Sequence, residues 1–179
     1  MPLSRPLLAL LFLAAPLAAA ACAAGDAAPS ASSPAALSDA QVRSALEAAY
    51  ARNREALLAR DLAAVLALRT PDFAVVTPDG AVHGYEEMAA FSRNLLENVE
   101  RWEALSFDIQ SVARTGAEAA AEVRQHSIRM MRRPEGKIQR VENWVTQRET
   151  WRLTADGWRI ARVDNIRDQR VLIDGVPRS

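Results

Sequence analysis

Cysteine is all but missing from this chain: Cys22 is the only one in 179 residues, so no internal disulfide can form. Histidine is nearly as scarce. His83 and His126 are the only two, they are isolated from each other in sequence, and no metal centre is expected. A charge excess is absent as well. The 22 acidic and 22 basic residues cancel, which removes the one-signed field that nucleic acid or an anionic membrane would select. No phosphate-cradling glycine loop, nucleophile elbow or zinc spacing occurs. Aromatic residues make up only 6%, and four of them are Trp102, Trp144, Trp151 and Trp158, read as core or dimer-face bulk.

One long apolar run exists, Leu7 to Ala21 ("LLALLFLAAPLAAAA"), after a single positive charge at Arg5. It suits the core of a signal peptide and falls short of the roughly 20 apolar residues of a spanning helix. Residues 1–22 are therefore expected to direct export, to the periplasm, the outer membrane or the medium. Cys22 directly follows "AAA", and two processing routes fit. Cys22 resembles a bacterial lipoprotein attachment site, although Ala19 stands where leucine is usual. Ordinary cleavage at an A-x-A site fits equally. A lipid at Cys22 would be the only expected membrane contact. Residues 23–37, rich in Ala, Pro and Ser, read as a tether.

Order is expected from Ser38, where Ser38 and Gln41 form a capping box and Leu37 and Val42 a hydrophobic staple. The helix they open carries an apolar stripe of Val42, Ala45, Leu46, Ala49, Ala56 and Leu57, interrupted by Asn53. Asp61 caps a short second helix that ends before Pro71. "FAVVTPDGAVH" reads as a hairpin, and Gly84 opens a third helix with Met88, Phe91 and Leu95 on its apolar side. A strand after Trp102 and two long strands before and after "RPEGK" follow, and "ADG" turns into a last strand from Trp158. Helices first and a meander of long strands afterwards predict an α+β domain over residues 38–170, with helices on one face of a curved antiparallel sheet. Residues 171–179 read as a tail whose "VLI" could extend an edge.

Two stretches carry a family resemblance: "ALLARDLAAVLALRTPDFAVVTPDGAVHG" (Ala56 to Gly84) and "TWRLTADGWRIARVD" (Thr150 to Asp164). Together they resemble the nuclear transport factor 2-like superfamily, in particular its SnoaL-like and ketosteroid isomerase-like bacterial members. The resemblance implies a cystatin-like cone, in which the sheet curls around the helices and its open end accepts a small molecule. It also implies a homodimer through the outer sheet face; no cofactor is expected, and the charge balance argues against nucleic acid.

Placed on such a cone, period-two alternation turns Trp158, Ile160, Arg162 and Asp164 inward, and likewise Gln147, Glu149 and Trp151. Alignment with ketosteroid isomerase puts Asn53 at its helix tyrosine, Thr77 at its base aspartate and Glu149 at its second acid. Thr77 cannot act as a base near neutral pH, so that specific activity is rejected. Three readings remain. In the first, the cone binds a partly polar organic molecule through Asn53, Thr77, His83, Gln147, Trp151 and Arg162, with His83 at a strand-to-helix junction where a capping role fits as well. In the second, Glu149 or Asp164 is the base of a cofactor-free lyase, isomerase or cyclase, with Arg162 steadying an oxyanion. Against it, Arg162 with Glu149 or Asp164 could be a self-satisfied ion pair. In the third, the cone is filled and the protein serves assembly.

Overall fold

The computed structural model describes residues 37–178; the expected signal peptide, Cys22 and nearly all of the tether lie outside them. Helix α1 (Asp39–Ala59) begins where the capping box requires. Ser38 Oγ accepts from the Gln41 backbone, and the Gln41 side chain accepts from the Ser38 backbone at 2.8 Å. The helix ends at Arg60, whose left-handed backbone lets its N–H reach the last turn. Asp61 then accepts from the Ala64 backbone at 3.0 Å and starts α2 (Leu62–Ala67). Strand β1 (Arg69–Val76), the short β2 (Val82–Gly84) and α3 (Tyr85–Asn98) follow. The rest of the chain is strand: β3 (Val99–Thr115), β4 (Glu118–Arg132), β5 (Ile138–Thr154), β6 (Gly157–Ile173) and β7 (Val176–Arg178).

The seven strands form one curved, unclosed sheet in the order β2-β1-β6-β5-β4-β3, with β7 added beside β6. The expected sheet was wholly antiparallel; the observed one is mixed. β1 runs parallel to β6, because the chain returns to it only after α3 and three further strands, the long crossover that parallel pairing needs. Residues after 170 do not hang free: they finish β6 and pair as β7.

The inner sheet face and the helices share one core. Trp151 is completely buried, with Val42, Leu46, Ala121 and Val123 around it in the same cluster. The Trp151 ring meets Tyr50 edge-on at 5.3 Å, and Tyr50 stacks on Phe107 at 4.8 Å. Trp158 and Ile160 close this core at the "ADG" end of β6, as their alternation predicts.

Beyond Ile160, β6 leaves simple alternation three times. Trp151 pairs with Ile160 while Thr150 pairs with Arg162, so Ala161 is an extra residue with no partner. Further register shifts fall at Asn165 and Asp168, both left-handed, with φ of 48° and 53°. Asn and Asp tolerate that region better than other side chains do. Each bulge bends the strand, and an odd number of extra residues moves the following side chains to the other face.

Candidate functional site

A cavity of about 330 Å³ lies between α1, α3 and the concave face of the sheet. Its wall is mostly apolar: Leu57, Phe73, Val75, Met88, Ile160 and Val163 all contribute. Polar groups reach it from three strands. β5 supplies Asn143, Gln147 and Glu149 by strict alternation, and β4 supplies Gln125, Ser127 and Arg129. β1 adds Arg69, and α1 adds Tyr50 and Asn53.

Glu149 is the buried charge of the site, only 1% exposed. Its Oε2 accepts from the Tyr50 hydroxyl and its Oε1 from Gln147 Nε2 at 2.7 Å. Burial pushes the Glu149 pKa above the ordinary carboxylate value, because the ionised form loses its water. The donors Tyr50 and Gln147 oppose that rise without cancelling it. The buried Trp151 indole N–H beside Glu149 makes no hydrogen bond among the described residues. Burial, followed by the neighbouring Glu149 charge, pushes the Tyr50 phenol well above its usual value. The phenol therefore stays a proton donor throughout the physiological range.

Of the ligand-binding and catalytic candidates named from the sequence, Asn53, Gln147 and Glu149 line the cavity. The others do not. The extra residue at Ala161 puts Val163 opposite Glu149 on the inner face and turns Arg162 and Asp164 outward, so the expected inward pair is corrected. There Asp164 binds Arg148 at 3.0 Å and Arg162 at 2.9 Å. Partial burial of Asp164 is outweighed by these two guanidiniums, and its pKa is lowered. That ion-paired carboxylate is remote from any reaction in the cavity. Thr77 is engaged in the β1–β2 turn with Asp79 and the Ala81 carbonyl. The His83 Nδ1 sits 2.6 Å from Glu87 Oε1 on α3, outside the cavity lining. Trp151 packs in the core beneath Glu149 rather than lining the cavity. Among the described residues, no group of three His, Cys, Asp or Glu side chains could hold a metal ion.

Sequence reasoning overlooked Tyr50 and the β4 row of Gln125, Ser127 and Arg129. The signals were present. Tyr50 lies four residues after Leu46 and three before Asn53, on the buried helix stripe. "RQHSIRM" alternates twice, and attention to His126, Ile128 and Met130 obscures the polar row between them.

The SnoaL-like domain family matches residues 48–163. Solved structures share the architecture. A ketosteroid isomerase-like protein from Erwinia carotovora atroseptica is 23% identical, with 67% of this chain and 91% of the other covered at a TM-score of 0.51. A conserved protein from Planctomyces limnophilus is 22% identical, with 76% and 98% covered and a TM-score of 0.54. A nuclear transport factor 2-like protein from Rhodospirillum rubrum is 20% identical, with 66% and 93% covered and a TM-score of 0.52. At such identities the likeness is one of fold. No curated protein matches the chain.

Proposed function

The chain belongs to the SnoaL-like domain family, and from that premise we propose that its cone binds a small, partly polar organic molecule. The observation that carries this reading is the cavity itself. It is apolar over most of its wall, large enough for a ligand, and furnished with a few converging polar groups, the usual make-up of a small-molecule site. A panel of neutral aromatic alcohols and amides, screened by thermal shift and tryptophan fluorescence, tests it. At least one should bind with 1:1 stoichiometry. Met88→Trp, which fills the cavity, should abolish that binding, whereas Arg148→Ala on the outer face should not. Binding that survives Met88→Trp, or no binding by any compound, would remove the reading.

The Tyr50–Glu149 pair favours a second reading, a cofactor-free lyase, isomerase or cyclase. A carboxyl held at raised pKa against a cavity is suited to proton transfer, and a phenol beside it can hydrogen-bond a developing oxyanion. In that case Glu149→Gln removes turnover while leaving ligand affinity within a few-fold; graded loss of affinity alone would speak for binding only.

Export through residues 1–22, with or without a lipid at Cys22, belongs to the same proposal. So does a homodimer through the outer sheet face, where His126 stacks on Trp144 at 4.7 Å and Arg170 lies over the same ring at 5.2 Å. A monomeric mass by light scattering at micromolar concentration would remove the dimer.

A further inference from the structure

Five arginines on the outer face have carboxylate partners, whereas the two that line the cavity have none among the described residues. Outside, Arg140, Arg148, Arg152, Arg162 and Arg167 each bind a carboxylate although water surrounds them. Inside, Arg69 and Arg129 are half-buried against the cavity, burial depresses both pKa values, and no carboxylate among the described residues offsets that depression. Half-buried cations without a counter-ion are costly, and the cost is removed when an anion arrives.

Arg69 is partly satisfied by the Met88 carbonyl at 3.1 Å and Ser92 Oγ at 2.8 Å. Arg129 is not. One of its terminal nitrogens donates to Ser127 Oγ at 2.8 Å, but its buried Nε has no acceptor. Trp102 lies directly across from Arg129 on β3, its ring 5.9 Å beneath the guanidinium, and its buried indole N–H also lacks an acceptor. Both side chains line the cavity, and Ser127 faces Asn143 one pairing further along. Two orphaned donors and two neutral polar groups therefore gather at one end. Glu149 pairs opposite Ala121, eight residues from Arg129 along β4, roughly 26 Å away along the backbone at strand spacing. It cannot serve as Arg129's counter-ion.

We propose that the cavity takes an organic acid, its carboxylate held by Arg129 and the Trp102 indole N–H and its apolar body extending along the wall toward Glu149. A guanidinium presents parallel donors that match a planar carboxylate. Glu149 at the far end disfavours a second negative charge on the ligand, so the acid should carry one. This inference rests on the proposed cavity binding and adds the chemical class of the guest.

The test compares 4-phenylbutanoate with its uncharged amide, by calorimetric titration against the purified protein. The acid should bind about tenfold tighter than the amide, the worth of one charge-assisted hydrogen bond. In Arg129→Gln the preference should fall to about threefold or less, while amide affinity stays within a few-fold. Arg129→Lys, which keeps the charge and loses the fork, should lie between them. If Arg129→Gln does not fold, Trp102→Phe removes the second donor and should lower the preference in the same direction. Equal binding of acid and amide, or a preference unchanged in these variants, overturns the inference and leaves the cavity reading standing. Tighter binding of phenyl phosphate than of the acid also overturns it, in favour of a phosphate site. No binding by either phenylbutanoate compound overturns the inference; no binding by any compound, the neutral panel included, sinks both.

Discussion

β5 and β6 are neighbouring strands of equal length, yet one keeps strict alternation and the other abandons it. On β5, Asn143, Gln147, Glu149 and Trp151 all turn inward at period two. On β6 the same rule holds from Trp158 to Ile160 and then fails, because Ala161 is a bulge and Asn165 and Asp168 add further shifts. The consequence reaches the chemistry. Glu149 stays buried at raised pKa, whereas Asp164, one strand away, sits outside between two arginines at lowered pKa. Two carboxylates in adjacent strands thus receive opposite environments from a single extra residue.

The contrast can be broken most forcefully at the bulge. Inserting one alanine beside Ala161, with the bulge still holding one extra residue, adds a residue to the ladder and so drives Arg162 and Asp164 to the core side, where unpaired charges are very costly. We expect a loss of about 4 kcal/mol or more, or failure to fold, in urea titration. A loss under about 1 kcal/mol would mean that the bulge simply takes up the added residue. Next in size is Asn165→Val. A β-branched residue held at positive φ should cost about 1–2 kcal/mol, read from the same titration.

Glu149→Gln sharpens the comparison through pH. A carboxyl whose folded pKa is raised contributes stability fully below its unfolded value, near 4.5, and loses that contribution as pH climbs through the folded value. Glutamine has no such loss. The melting temperature of Glu149→Gln relative to the parent should therefore rise as pH climbs from 4 toward 9. A gap that stays flat or falls would show that Glu149 is not held at raised pKa. The smallest effect belongs to Arg162→Ala on the exposed face, where screening limits an ion pair to less than about 1 kcal/mol and ligand binding should not change. A clear loss of ligand affinity there would place Arg162 back at the site.

The helices, the hairpin and β5 are readable without coordinates because their signals are local. Ser38 and Gln41 cap a helix wherever they occur in this order, and alternation along "VTQRETW" needs only an inner and an outer face. Tyr50, Gln125, Ser127 and Arg129 obey equally local rules, and once the cavity is located their parity is plain. The bulges of β6 are different in kind. "RIARVDNIRDQ" shows no glycine or proline to mark a break.

By itself, then, the sequence determined the α+β class and the inward face of β5, which follow from hydrophobic period and capping chemistry along the chain, and it carried the family through the resemblance of two stretches. Tertiary structure alone decided that β1 joins β6 in parallel, that Arg162 and Asp164 face water, and that Trp102 and Arg129 meet with unsatisfied donors. Those outcomes depend on register between strands distant in sequence. A shift of one residue there reverses every side chain beyond it, and no local pattern encodes where the shift falls.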